Sequence, residues 1–251
     1  MLLAIDIGNT NITLGFFSEN NLIEMKYLKT DVHLFADEYI EQFKNVLGDY
    51  NIKHCIISSV VPEINATIKE VINKLLEIEP IFINSNLNIG LKIKSEKPET
   101  AGADRIANAF YASKKCPKPA IVVDIGSAVT FDVIDNNGEF IGGLIMPGLT
   151  LQLKALNDYT SKLPLADIKP IDKIINNDTE NSLLSGVIRG TACAIDGLIL
   201  KCEEELKEKP YIILTGGNAD IISKYLTKYD SINKELTLQG INLIYNTISQ
   251  K

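Results

Sequence analysis

The sequence predicts an α/β fold that is built from two halves of similar design. Short apolar runs with strand character alternate along the chain with segments whose apolar residues recur at helical spacing. The segments Leu2–Gly8 and Ala120–Gly126 have similar sequences, since each is an apolar run that ends in Asp-Ile-Gly. The two aspartates, Asp6 and Asp124, lie 118 residues apart (124 − 6), close to half of the 251-residue chain. We therefore predict a duplication of one βββαβα-type half.

Three strands open the first half, and helices and one further strand follow them. The apolar runs and the turn residues between them predict strands at Leu2–Ile7, Asn11–Ser18 and Asn21–Lys29. Apolar residues at helical spacing predict the helices Asp37–Leu47, Pro62–Leu76 and Gly102–Lys114, and the compact run Cys55–Val61 predicts a buried strand between the first two. The polar stretch 84–100 is expected to be a loop.

The second half restarts after Cys116–Pro119, where we place the domain boundary, so the predicted domains are 1–116 and 117–251. Strands are predicted at 120–126, 127–130, 139–145 and 211–215, a long helix at Asn181–Leu206, and another helix after Gly217.

Composition limits the compartment and the classes of partner. The chain carries 25 basic and 32 acidic residues, a net charge of −7, which disfavours nucleic acid as a partner. Its four cysteines are scattered without a C-x-x-C pair, which is typical of reduced thiols rather than of a zinc site. No apolar run approaches the ~20 residues that a membrane span requires, and Met1–Asp6 lacks the features of a signal peptide. We expect a cytoplasmic protein without a membrane partner.

Several familiar chemistries are excluded by missing motifs. The sequence contains neither a G-x-x-x-x-G-K-[ST] phosphate loop nor G-x-G-x-x-G. Its two histidines, His33 and His54, do not lie in small-residue turns, so Ser/His nucleophilic catalysis is a poor hypothesis. What remains as candidate chemistry is a set of polar turns at strand ends.

The first such turn begins at Asp6 and runs to Thr13. A carboxylate ends a buried strand, Gly8 lets backbone N–H groups approach a ligand, and Asn and Thr side chains add short polar arms. This combination suits a phosphate and a hydrated Mg²⁺ held by Asp6 through water. The alternative is an ordinary hairpin turn, in which Asn and Gly are also common.

Two further turns in the second half are candidate parts of a nucleotide site, and the first of them favours such a site over a hairpin turn. The segment Asp124–Asp132 repeats the carboxylate, glycine and hydroxyl pattern, and Gly216-Gly217 lies between a strand and a helix, where the bare backbone could lie against adenine or ribose. Gly216-Gly217 is only a lone Gly-Gly pair, so by itself it does not distinguish a nucleotide-binding turn from an ordinary turn.

These turns resemble the phosphate-one, phosphate-two and adenosine elements of the acetate kinase, sugar kinase, Hsp70 and actin superfamily. With Gly102-Ala103-Asp104-Arg105-Ile106, Gly142-Gly143-x-Ile145-x-Pro147-Gly148 and Thr179 ahead of Ser185-Gly186, the chain resembles a type III pantothenate kinase from residue 1 to about residue 220. The resemblance implies two ribonuclease-H-like domains with a nucleotide cleft between them.

The resemblance also implies a reaction and its cofactors. The expected activity is ATP-dependent phosphorylation of pantothenate to 4′-phosphopantothenate, the first step of coenzyme A biosynthesis, with Asp104 as the general base. Mg²⁺ would be held through Asp6, and a monovalent cation, K⁺ or NH₄⁺, would be bound by Asp124. The family forms homodimers, so a homodimer is expected.

Residue by residue, the resemblance implies two binding sets. The ATP and phosphate positions are Asp6, Ile7, Gly8, Asn9, Thr10, Asn11, Ile12, Thr13, Ser127, Gly216 and Gly217. The substrate positions are Gly102, Ala103, Asp104, Arg105 and Thr179.

The chemistry of Arg105 supports its place in the second set. Arg105 and Arg189 are the only arginines beside 23 lysines, which indicates a need for a planar bidentate donor. A helix-capping ion pair with Asp104 is the alternative.

Two positions depart from the pattern of the family, which usually has threonine where this chain has Ser127 and tyrosine where it has Ser95.

Two other functions are compatible with the sequence. One is a kinase of the same superfamily that acts on another small alcohol or carboxylate, and the other is a non-enzymatic nucleotide-binding regulator.

Overall fold

A computed structural model describes residues 1–249, and the chain divides into two compact units. The first contains residues 1–111 together with the C-terminal segment from Leu236, and the second contains Ala112–Glu235. Each unit has a five-stranded mixed sheet. The predicted α/β class is confirmed.

In the first unit, the strands β1–β5 are Leu2–Ile7, Asn11–Ser18, Asn21–Lys29, His54–Ser59 and Ile81–Phe82. Their order is β3-β2-β1-β4-β5, with β1 antiparallel to β2 and parallel to β4. The helices of this unit are α1 (Ala36–Leu47), α2 (Asn65–Leu76), α3 (Ala103–Lys115, which continues past the unit boundary) and the last helix, α8 (Leu236–Ser249).

The central strand β1 is buried on both faces, which explains its uninterrupted apolar sequence. Leu3 and Ile5 pack in the cluster that α1 and α2 cover, whereas Leu2 and Ala4 pack in the cluster that α3 and α8 cover. Both layers of helices therefore hold β1 and the carboxylate near its end in a defined place.

The second unit repeats this design. Its strands β6–β10 are Ala120–Ile125, Ala128–Ile134, Phe140–Pro147, Tyr211–Thr215 and Ser231–Ile232, and its helices α4–α7 are Leu149–Asp158, Thr179–Leu184, Gly190–Leu206 and Ala219–Ile222. The sheet order read from the other edge is β8-β7-β6-β9-β10, with β6 antiparallel to β7 and parallel to β9. Since this is the pairing pattern of the first sheet, the predicted duplication is confirmed.

The structure differs from the sequence-based elements in several places. The helix expected at Pro62–Leu76 opens with a 3₁₀ turn, Pro62–Ile64, and proline suits this first turn because an N–H there would have no intrahelical partner. The helix expected from Asn181 begins at Thr179 and contains a π-helical segment, Ser185–Arg189. The helices α4 and α8 and the two-residue strands were not anticipated.

The C-terminal helix also changes the division of the chain. The sequence assigned all of 117–251 to the second domain, whereas α8 packs in the first unit. Leu238, Ile241 and Ile244 of α8 belong to the apolar cluster that includes Ile106 and Phe110 of α3. Burial of this apolar face against α3 explains the difference.

Among residues 1–249, the helical stretch Thr179–Leu206 has the length and composition that a membrane span requires. It has 28 residues, and its most apolar window has a mean hydropathy of 1.6. This indication is weak, because core helices pass the same test and 44% of that window is buried. Ala192, Ile195 and Ile199 pack in the core of the second unit.

Candidate active site

In the first unit, the Asp6 carboxylate lies next to the carboxyl end of β1 and is held by a neighbouring strand. Asp6 pairs in register with Thr13 on β2 and with Ser58 on β4. The Ser58 hydroxyl donates a hydrogen bond of 2.8 Å to Oδ1 of Asp6, and Ser58 is completely buried. The bond restricts rotation of the carboxylate.

The turn after Asp6 is tied to the end of β3. The Gly8 amide donates to the Asn11 carbonyl at 3.0 Å, and the Thr30 hydroxyl donates to the Gly8 carbonyl at 2.7 Å. Asn9, Thr10 and Asn11 are exposed, as a ligand-binding turn requires.

Two predicted ATP positions in this turn, Ile7 and Ile12, have completely buried side chains. The Ile7 carbonyl accepts the Val60 amide at 3.0 Å, and Ile7 and Ile12 pair across β1 and β2. Any part they have in binding must come from the backbone.

The start of α3 lies near the carboxyl end of β1, where the Asp6 turn begins. A Cβ on Gly102 would lie 3.4 Å from Cγ1 of Val60, the residue whose amide caps β1 at Ile7. The same Cβ would lie 2.5 Å from Oδ1 of Asp104, so glycine leaves room for that carboxylate. The first unit thus brings the start of α3, which carries Asp104, to the carboxyl end of β1, which carries Asp6.

Burial is the largest influence on the Asp104 carboxyl and raises its pKa above the ordinary aspartate value. The Arg105 amide, which donates to Oδ1 at 2.7 Å, and the Arg105 charge partly offset this effect on the pKa. Their neighbour Ala103 packs in the core, so only its backbone is available to a ligand. A carboxylate whose pKa is moved toward neutrality is a stronger proton acceptor, which suits a general base.

In the second unit, Asp124 occupies the position on β6 that Asp6 has on β1. It pairs with Thr130 on β7 and with Thr215 on β9. Gly216 has a φ of +89°, and a Cβ there would overlap Oδ1 of Asp124 and the Ile125 backbone. Glycine at the end of β9 therefore allows the Asp124 carboxylate its place.

The Ser127 turn lies beside the beginning of α4. The Gly148 amide donates to the Ser127 carbonyl at 3.1 Å, and a Cβ on Gly148 would collide with the carbonyl oxygens of Gly126 and Ser127. Ser127 and Gly217 are both exposed. Gly148 is not among the predicted site residues, although it ends the motif Gly142-Gly143-x-Ile145-x-Pro147-Gly148.

A sequence model of the type III pantothenate kinase family matches residues 2–201 of this chain. The chain belongs to this family. A type III pantothenate kinase from Finegoldia magna is 40% identical over 252 residues, which cover 97% of this chain and 96% of that one. The chain is therefore a kinase.

Solved structures agree with the fold. A Campylobacter jejuni protein named for the Baf family of transcriptional activators has a TM-score of 0.65 at 22% identity and covers 99% of this chain and 100% of its own. A ROK family glucokinase from Streptomyces griseus has a TM-score of 0.54 at 11% identity, with 100% and 99% covered. At these identities the likeness concerns the fold alone, and it supports two ribonuclease-H-like halves.

Thr179, a predicted substrate position, and Ser95, which stands where the family usually has tyrosine, both lie in exposed segments. Thr179 is exposed and begins α5, and the preceding Asp178 caps this helix by accepting the Asn181 amide at 2.9 Å. This hydrogen bond is the main cause of a lowered pKa at Asp178. Ser95 lies in an exposed loop, where its hydroxyl accepts the Lys97 amide at 3.1 Å.

The other arginine, Arg189, binds backbone carbonyl groups of a neighbouring loop. Its Nη2 donates to the carbonyl of Ile171 at 3.0 Å and to that of Asp172 at 2.5 Å, and its guanidinium lies 4.7 Å from the Tyr225 ring centroid. It borders a cavity of about 400 Å³ near α5, which the sequence did not predict. The Arg189 guanidinium thus holds the loop at Ile171 and Asp172 in place.

Within residues 1–249, no three or more His, Cys, Asp and Glu side chains form a group that could hold a metal ion. Asp6 offers a single carboxylate at the carboxyl end of β1. Mg²⁺ fits such a site, because it is commonly bound by one or two carboxylates with waters and substrate phosphates rather than by a protein cage.

Proposed function

We propose that this chain transfers the γ-phosphoryl group of ATP to the 4′-hydroxyl of pantothenate, the first step of coenzyme A biosynthesis. Membership of the type III pantothenate kinase family supports the substrate. The observation that carries the chemistry is the close approach of Gly102, two residues before Asp104, to Val60, whose amide donates to the Ile7 carbonyl next to Asp6.

Asp104 is proposed as the general base. Its carboxylate accepts the proton of the pantothenate hydroxyl while the hydroxyl oxygen forms a bond to the γ-phosphorus and the bond to the leaving ADP oxygen breaks. Burial raises the pKa of Asp104, which makes its carboxylate a stronger proton acceptor. Most of the rate acceleration in such transfers comes from positioning and charge stabilisation.

The phosphate groups are assigned to the turns at the strand ends. In the first unit, the backbone of Gly8–Thr13 and the side chains of Asn9 and Thr10 supply donors. In the second unit, the Ser127 turn and Gly216-Gly217 do so, the latter beside the adenosine moiety. Mg²⁺ held through Asp6 and a monovalent cation, K⁺ or NH₄⁺, at Asp124 would offset phosphate charge.

Pantothenate is assigned to Gly102, Ala103, Asp104, Arg105 and Thr179. A bidentate guanidinium suits the pantothenate carboxylate, and this favours Arg105, which is partly exposed beside Asp104. A homodimer and a cytoplasmic location complete the proposal, and the nucleotide cleft expected between the halves stays a prediction.

A coupled ADP-release assay tests this function. Purified protein is supplied with ATP, Mg²⁺ and K⁺ or NH₄⁺, and acceptors are compared across pantothenate, hexoses and small carboxylates. Pantothenate-dependent ADP release is the expected result. Release with another acceptor alone would favour the other kinase hypothesis, and nucleotide binding without release under any condition would favour the regulator.

A further inference from the structure

The two units share a feature beyond the strand-end aspartates. The parallel neighbour of each central strand presents a hydroxyl residue in register with the aspartate. This residue is Ser58 beside Asp6 and Thr215 beside Asp124. Both hydroxyl residues are buried, with exposed fractions of 0% and 1%. A buried hydroxyl is costly unless it is hydrogen-bonded, so its presence in both halves needs an explanation.

In the first unit the explanation is a direct contact. The Ser58 hydroxyl donates to Oδ1 of Asp6 at 2.8 Å. Ser58 lies on β4, between the core residue Ile57 and the partly buried Ser59. Its hydroxyl can donate one proton only, and that proton is directed at the carboxylate. The bond therefore restricts the orientation of the carboxylate.

We infer that Ser58 is a positioning residue for the Mg²⁺–nucleotide complex and acts through Asp6. This inference rests on the proposed role of Asp6 as the carboxylate that holds Mg²⁺ through water. Groups that orient a metal-binding carboxylate affect affinity although they do not touch the metal, and their loss commonly costs about 10–100-fold in metal affinity or activity.

The test compares Ser58→Ala with the matched control Ser59→Ala, which makes the same change at the next residue of β4. The Ser59 hydroxyl accepts the Val61 amide at 3.2 Å rather than contacting Asp6. Binding of a non-hydrolysable ATP analogue is measured by titration calorimetry over a series of Mg²⁺ concentrations. Ser58→Ala is expected to raise the Mg²⁺ concentration for half-maximal binding by about 10-fold or more, and Ser59→Ala to leave it unchanged.

A second variant, Ser58→Cys, keeps the unbranched shape of the side chain but has a larger terminal atom and a weaker donor. It is expected to shift the Mg²⁺ dependence in the same direction and so provides the measurement if Ser58→Ala unfolds. An unchanged Mg²⁺ dependence in a folded Ser58 variant would overturn the inference.

A double-mutant cycle with Asp6→Asn separates this inference from the proposed function. If Ser58 acts through Asp6, replacing Ser58 has little further effect on Mg²⁺-dependent binding in the Asp6→Asn background. Equal effects in both backgrounds would overturn the positioning role alone. If Asp6→Asn itself leaves the Mg²⁺ dependence unchanged, the assignment of Mg²⁺ to Asp6 fails, and the inference about Ser58 fails with it.

Discussion

At the scale of single residues, the balance of effects on Asp104 decides its chemistry. An aspartate beside an arginine at a helix start would be expected to have a lowered pKa. In the structure, burial outweighs the Arg105 amide and charge, so the pKa is raised. The position is therefore tuned for proton transfer at the expense of the ionised form.

Replacing Asp104 with Asn is expected to lower kcat by about 10²–10⁴-fold while nucleotide affinity stays nearly unchanged, because the general base is removed. In the unaltered enzyme, kcat should fall as the pH decreases through the raised pKa of Asp104. This acid limb should be missing from the residual activity of the variant. Steady-state rates across pH, with nucleotide binding measured by calorimetry, check both expectations, and near-normal turnover of the variant would contradict the assignment.

The same pKa makes a second measurement informative. Because the folded-state pKa of Asp104 lies above its unfolded value, the contribution of Asp104 to the free energy of unfolding is fully present below the unfolded pKa and is lost as the pH rises through the folded pKa. Asp104→Asn removes this cost of ionisation. Chemical unfolding at neutral pH should therefore show no loss of stability, which would separate a catalytic defect from a folding defect.

At the scale of elements, α3 and α8 form the layer that supports Asp104. Gly240 of α8 packs so closely on the Ala107 backbone that a Cβ would overlap the Ala107 carbonyl. The Thr237 hydroxyl donates to Oδ1 of Asn108 at 2.8 Å beside this contact. Since Ala107 lies one turn after Asp104, the contact helps to locate the start of α3.

Gly240→Ala should destabilise the protein by about 1–3 kcal/mol through overpacking. The matched control is Gly197→Ala, a helical glycine of α6 with open space around a Cβ, which should be neutral or stabilise by up to about 1 kcal/mol through helix propensity. Urea unfolding of both variants tests the contact, and equal effects would show that the close packing is unimportant.

At the scale of the whole molecule, the chain returns to its first unit at Leu236. The apolar face that Ile106 and Phe110 of α3 present is covered by Leu238, Ile241 and Ile244 of α8. The first unit is therefore discontinuous in sequence, and its core requires the end of the chain.

A chain truncated after Glu235 should consequently lose the cooperative unfolding of the first unit, since an apolar face of its core would be exposed to water. Circular dichroism and urea unfolding against the full chain provide the measurement. A truncated chain with an unchanged transition would show that α8 is dispensable for this core.

The sequence alone was enough to predict the duplicated α/β design, eight of the ten strands in residues 1–249 and the acidic turns, because the apolar runs and Asp-Ile-Gly endings are local signals. It could not place α8 with the first unit, since membership of a core depends on packing between distant segments. Nor could it identify Ser58, whose role arises from its register beside Asp6, or the raised pKa of Asp104, which arises from burial. Sequence determined which chemical groups end the strands, and tertiary packing decided which of them meet and how their charges are tuned.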